Sequence, residues 1–94
     1  MTNIRRGILE AAINHYGAEH QKAKAIEELC ELARALARED AENITEEMAD
    51  VRVMLDQLEI IYDNHNSVVA MEYKKLQRLR ARMIAEADHE RRGK

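Results

Sequence analysis

Two short acidic clusters fall inside runs that carry the apolar spacing of helices, and they limit the possible folds of this chain more than any other feature. They are Glu27-Glu28-x-x-Glu31 and Glu46-Glu47-x-x-Asp50. With Glu47 placed at 0° and about 100° per residue, Val51 and Leu58 project at about 40° and 20°, Met54 at about 340°, and Ile44 and Tyr62 near 60°. Glu47 therefore shares the apolar arc of its own helix, and Asp50, at about 300°, lies at the edge of that arc beside Ile61. On the preceding helix Glu28 projects close to Leu32 and Ala35, at the margin of the apolar face, with Glu31 about 60° further out. An ionised carboxylate on a core face is costly unless a positive charge meets it.

Two resolutions are open for the first cluster. Lys24, Arg34 and Arg38 stand at helical spacing from Glu27, Glu28 or Glu31, so a salt-bridged solvent face would account for it without any function. Glu47 has no such local partner, because the residues three and four positions away are Asn43, Ile44, Asp50 and Val51. Four carboxylates converging from two antiparallel helices would repel one another, and a multivalent hard cation relieves that repulsion. Oxygen-only ligands select Mg2+ or Mn2+ over zinc. The i, i+3 spacing inside each pair puts both carboxylates on one side of its helix.

The rest of the chain reads as helix. It has no Pro, no Trp and no Phe, and only 3 Gly. The first helix is predicted over residues 3–16, with Ile4, Ile8, Ala11 and His15 on one stripe, and the second over 20–39, with Ile26, Leu29, Ala33 and Leu36 on one face. Asn43 starts the third, with Glu46 completing a capping box, and its apolar face holds Ile44, Met48, Val51, Met54, Leu55, Leu58, Ile61 and Tyr62. Residues 63–67 are a polar turn, and a fourth helix over 67–90 carries Val69, Tyr73, Leu76, Leu79 and Met83. Short connections predict an all-α, four-helix bundle-like subunit, a single domain spanning residues 1–94. At 94 residues the chain is too short to bury four helical faces alone, which predicts self-association. The single cysteine, Cys30, suits a reducing cytoplasm, and the chain carries neither a signal-peptide core nor a run long enough to span a membrane.

Charge divides along the sequence. Residues 1–73 hold 7 Lys/Arg against 15 Asp/Glu, whereas residues 74–94 hold 8 against 3. A basic last helix fits nucleic acid, the acidic helices of the same protein, or the phosphates of a small ligand. The absence of aromatic residues among those Lys and Arg argues against nucleic acid.

Glu27-Glu28-Leu29-Cys30-Glu31, then fifteen intervening residues, then Glu47-Met48-Ala49-Asp50 resembles the EExxE…ExxD signature of the all-α nucleoside triphosphate pyrophosphohydrolases, in particular the short MazG-like proteins. The resemblance runs from about Gly17 to Met83. It includes the lead-in Gln21…Ala25-Ile26 and the later Lys75-Leu76-Gln77-Arg78. It implies Mg2+-dependent cleavage of a (deoxy)nucleoside triphosphate to the monophosphate and pyrophosphate. Glu28, Glu31, Glu47 and Asp50 would be metal ligands, and Glu27 an outer group or the base that orients the attacking water. Lys75 and Arg78 would neutralise the phosphates. Gln21 and Lys24 project toward the Glu28 side and are either substrate contacts or plain surface. The family also implies a homodimer or homotetramer with a base pocket between chains. Phosphoribosyl-ATP pyrophosphohydrolase shares the bundle and acidic motif but not the surrounding pattern. The rival from another class is a non-enzymatic, antitoxin-like partner-binding module with solvated carboxylates.

Overall fold

The computed structural model describes residues 1–93, which form four helices: α1 (Asn3–Tyr16), α2 (Ala18–Ala37), α3 (Ala41–Tyr62) and α4 (His65–Arg92). No strand occurs among the described residues. None of their helices is long and apolar enough to cross a membrane. The chain divides into two compact units, Met1–Asp63 with α1, α2 and α3, and the segment from Asn64 onward with α4.

In the first unit, α2 and α3 form a tight helical hairpin. Gln21 meets Gln57, and Glu28 meets Glu47 and Asp50, so contacts move forward on one helix as they move back on the other. That order makes the pair antiparallel. The link between the two helices is only residues 38–40, with Glu39 at φ 55° and the Asp40 amide donating to the Ala35 carbonyl at 3.3 Å. Asp40 is the N-cap of α3: its side chain accepts from the Asn43 amide at 3.3 Å and from the Asn43 side-chain amide at 2.8 Å. The predicted start at Asn43 is thus corrected. Asp40 offers its carboxylate to the first free amides, so one extra turn forms ahead of the expected capping box. Gly17, at φ 92°, turns the chain between α1 and α2, a backbone conformation that side-chain-bearing residues rarely adopt. α1 is tied to α3 by Arg5, whose guanidinium lies 2.8 Å from the Asp56 carboxylate.

The buried positions are Leu9, Ala25, Ala35, Val51 and Met54, with the polar Gln21, Glu28 and Gln57. On α2 this is the stripe Gln21, Ala25, Glu28 and Ala35, with Leu32 half-buried beside it. The predicted inner stripes of α1 and α2 are therefore outward in this chain. Ile4 is 79% exposed, Ile8 65% and Ile26 64%, and Ala11, His15, Leu29, Ala33 and Leu36 are exposed too. The reason lies in the hairpin. Small alanines on α2 let α3 approach closely, and the polar groups between them find partners there, so the hairpin closes on its less apolar side. On α3 the expected Val51 and Met54 are buried and Ile44, Leu58 and Ile61 half-buried, but Met48, Leu55 and Tyr62 are exposed.

The buried glutamines form a complete chain. His20 Nδ1 donates to Gln21 Oε1 at 2.8 Å, Gln21 Nε2 donates to Gln57 Oε1 at 2.8 Å, and Gln57 Nε2 donates to Met54 Sδ at 3.5 Å. A buried amide that finds a partner only in the correct register favours that register, because a slip strands it.

The second unit is a single long helix. α4 begins at His65, two residues before the predicted start, after Asp63 takes a left-handed conformation (φ 49°) that ends α3. No residue of α4 is buried, and its last turn holds His89, Arg91 and Arg92, which suit the negative end of the helix dipole.

Candidate metal centre

Glu28, Glu47 and Asp50 each offer a carboxylate oxygen within 4.8 Å of the other two. The spacing of the sequence makes this possible. Glu47 and Asp50 are three residues apart and share one side of α3, and Glu28 comes from the stripe of α2 that closes the hairpin. Glu28 is only 7% exposed, and Glu47 and Asp50 are half-buried. One oxygen of Glu28 and one of Glu47 are buried without any hydrogen-bond partner. Buried acceptors are almost always satisfied, so two orphans in one cluster point to a missing positive partner.

The electrostatics agree. Burial, the adjacent Glu28 carboxyl, and the charges of Glu31, Glu28 and Asp50 push the Glu47 carboxyl from the ordinary 4.5 up to about 7. Asp50 is also raised, first by burial and then by Glu28, with Lys24 opposing the shift. Among the described residues, Lys24 is the cation that pairs with the cluster, 3.3 Å from Glu28 and 3.6 Å from Glu27. One ammonium facing three close carboxylates leaves the centre with an excess of negative charge. An all-oxygen, anionic donor set of this kind fits Mg2+ or Mn2+.

Glu31 lies one turn along α2 and faces a cleft of about 160 Å³, together with Glu47, Arg34, Arg38, Asp40 and Asn43. It is half-buried and close enough for its charge to raise Glu47, but it stands outside the triad of nearest oxygens. Glu27 is exposed. Gln21 is buried in the glutamine chain between α2 and α3, not on the surface. Lys24 is half-buried beside the carboxylates. Lys75 and Arg78 stand exposed one turn apart on α4. Tyr62 and Tyr73 are exposed, and Lys22 lies over the Tyr62 ring at 5.1 Å from its centre. Helical spacing offers Lys24, Arg34 and Arg38 alike as neutralising partners for the first cluster. The structure gives that role to Lys24, and neither arginine makes an ion pair among the described residues.

Carboxylates from both arms of a helical hairpin converging on one point are an arrangement that helical bundles use to hold metal ions. The chain belongs to the MazG nucleotide pyrophosphohydrolase domain family, whose profile matches residues 17–79, two thirds of its length. No curated protein and no solved structure matches the chain. The match covers α2, α3 and the part of α4 that carries Lys75 and Arg78. It bears out the resemblance read from the acidic motifs and supports nucleotide pyrophosphohydrolase activity, the hydrolysis of an acid anhydride.

Proposed function

We propose that the protein hydrolyses a (deoxy)nucleoside triphosphate to the monophosphate and pyrophosphate with Mg2+, or Mn2+ in its place. The observation that carries this reading is the convergence of Glu28, Glu47 and Asp50 with two buried oxygens left unpartnered. These three carboxylates would hold the cation, with Glu31 beside Glu47 as a further ligand. When bound, the ion supplies charge neutralisation and Lewis-acid polarisation of phosphate oxygens.

The chain's own groups do the rest. Lys24 holds Glu28 in place from 3.3 Å. Glu27, exposed and 3.6 Å from Lys24, takes the role of base toward the attacking water that the family resemblance allows it. The water oxygen bonds to the α-phosphorus, and the bond from that phosphorus to the bridging oxygen breaks. The electron pair departs on pyrophosphate, and the water proton passes to Glu27. Lys75 and Arg78 contribute positive charge to the phosphates. Phosphoryl chemistry of this kind depends on positioning and charge neutralisation more than on covalent help.

The outward stripes Ile4 and Ile8 on α1 and Ile26, Leu29 and Leu36 on α2 support a homo-oligomer, because apolar faces of this extent are ordinarily covered. A base pocket between copies, which the family resemblance implies, is part of the same reading. Pyrophosphate release from a nucleotide panel that includes phosphoribosyl-ATP, with and without Mg2+, tests the reading. Metal-dependent pyrophosphate from at least one nucleoside triphosphate is the expected result. Release of single phosphates, cleavage of phosphoribosyl-ATP alone, or no turnover at all would refute it.

A further inference from the structure

The cleft beside the carboxylates carries two guanidinium groups that no side chain among the described residues pairs with. Arg34 and Arg38 sit one turn apart on the C-terminal half of α2, both exposed and both lining the cleft. Neither makes an ion pair or a side-chain hydrogen bond among the described residues, although Glu31 and Glu47 border the same cleft. The opposite wall is the first turn of α3, where Asn43 gives its side-chain amide to Asp40. At about 160 Å³ the cleft is smaller than the ~300 Å³ at the lower end of small-molecule pockets, so it suits a fragment of a nucleotide and not the whole.

We propose that Arg34 and Arg38 form an anion subsite for the pyrophosphoryl end of the substrate, the β- and γ-phosphates. This rests on the nucleotide hydrolase reading above. Glu47 belongs both to the carboxylate triad and to the lining of the cleft, so the two regions are continuous. A polyphosphate bridged by cations to the carboxylates at one end reaches the guanidiniums at the other. Two arginines at i and i+4 lie on one side of the helix, and each guanidinium is a planar fork that matches phosphate oxygens bidentately and remains charged at every working pH. The cleft lies at the α2–α3 connection, so this subsite is complete within one copy of the chain. Removing the arginines should therefore weaken the hold on pyrophosphate without weakening the hold on metal.

The test uses Arg34→Gln, Arg38→Gln and the double variant, all at exposed positions, with unchanged circular dichroism as the check on folding. Mn2+ binding is read by electron paramagnetic resonance, and binding of inorganic pyrophosphate with Mg2+ by calorimetry. Each substitution is expected to weaken pyrophosphate about ten- to a hundredfold, since each removes a hydrogen bond to a charged group. Mn2+ affinity should stay the same or tighten, because positive charge near the cation has gone. Pyrophosphate affinity within a factor of two of wild type in the double variant overturns the subsite. So does a wild-type protein that binds Mn2+ and cleaves nucleotide but does not bind pyrophosphate. A wild-type protein that neither binds Mn2+ nor cleaves nucleotide overturns the hydrolase reading itself, and the subsite with it.

Discussion

Lowering the pH should weaken divalent-metal binding at the Glu28–Glu47–Asp50 centre by a factor that the structure sets. Glu47, with its carboxyl pushed up to about 7, must lose its proton before it can ligate a cation. At pH 6 a group with that pKa is about nine-tenths protonated, so the dissociation constant for Mg2+ should be roughly tenfold larger than at pH 8. Suppose Mg2+ is set at 100 times the dissociation constant at pH 8. It then stabilises the folded chain by about 2.7 kcal/mol, which is roughly 10–20 °C in Tm for a chain of this size. At pH 6 the same Mg2+ is only about ten times the weakened constant, and the stabilisation falls to about 1.4 kcal/mol. Without metal the dependence on pH has its own sign. A carboxyl whose pKa rises on folding binds its proton more tightly in the folded state. Its stabilising effect is therefore complete below about 4.5 and is lost as the pH rises through about 7. The metal-free protein should thus melt higher at pH 5 than at pH 8, and added Mg2+ should reverse that order. Differential scanning calorimetry at four pH values, with and without Mg2+, measures both slopes. Glu47→Gln should flatten the metal-free slope and abolish most of the Mg2+ response. A Mg2+ shift of equal size at pH 6 and pH 8, or one retained in Glu47→Gln, would rule out Glu47 as the titrating metal ligand.

Three further outcomes follow from the same structure. Gln57→Leu should cost about 1–3 kcal/mol in urea unfolding by stranding the Gln21 amide, while Gln21→Leu combined with Gln57→Leu should recover most of the loss. A double variant as unstable as the single one would contradict the hydrogen-bonded pair. Sedimentation at micromolar concentration should show a dimer or larger species, with Ile8→Glu or Ile26→Glu shifting it toward monomer; a compact wild-type monomer would sink the assembly and the pocket between chains. Lys75→Ala and Arg78→Ala should each lower kcat/KM about 10–1,000-fold with Mg2+ affinity intact, and turnover at the wild-type rate would remove α4 from the phosphate chemistry.

The helices and the acidic centre were legible in the sequence because both depend on spacing along one chain. Glu47 among Val51, Met54 and Leu58, without a local cation, was the informative residue, and its partnerless buried oxygen agrees with that reading. The choice of inner face was not legible. Ile26, Leu29 and Leu36 form the stronger apolar stripe on α2, yet the hairpin closes on Gln21, Ala25, Glu28 and Ala35. Helical periodicity finds the apolar face of a helix but cannot say whether it meets the same chain or another surface. Gln21 shows the same limit, since a glutamine reads as surface until its cross-helix partner Gln57 is known. The start of α3 was missed because two capping signals overlap, and Asp40, three residues ahead of Asn43, takes the amides first. Arg34 and Arg38 were visible as charges at helical spacing from Glu31, but only the position of α3 shows that they border a cleft.

Anomalous diffraction from crystals grown with Mn2+ tests the metal centre independently of turnover, because it locates the ion itself. A strong Mn2+ peak is expected between the α2 and α3 arms of the hairpin, within ligand distance of Glu28, Glu47 and Asp50, and it should be lost in Glu47→Gln. A wild-type crystal with ordered carboxylates at this centre and no Mn2+ peak between them, at a concentration that supports nucleotide cleavage, would contradict the metal centre.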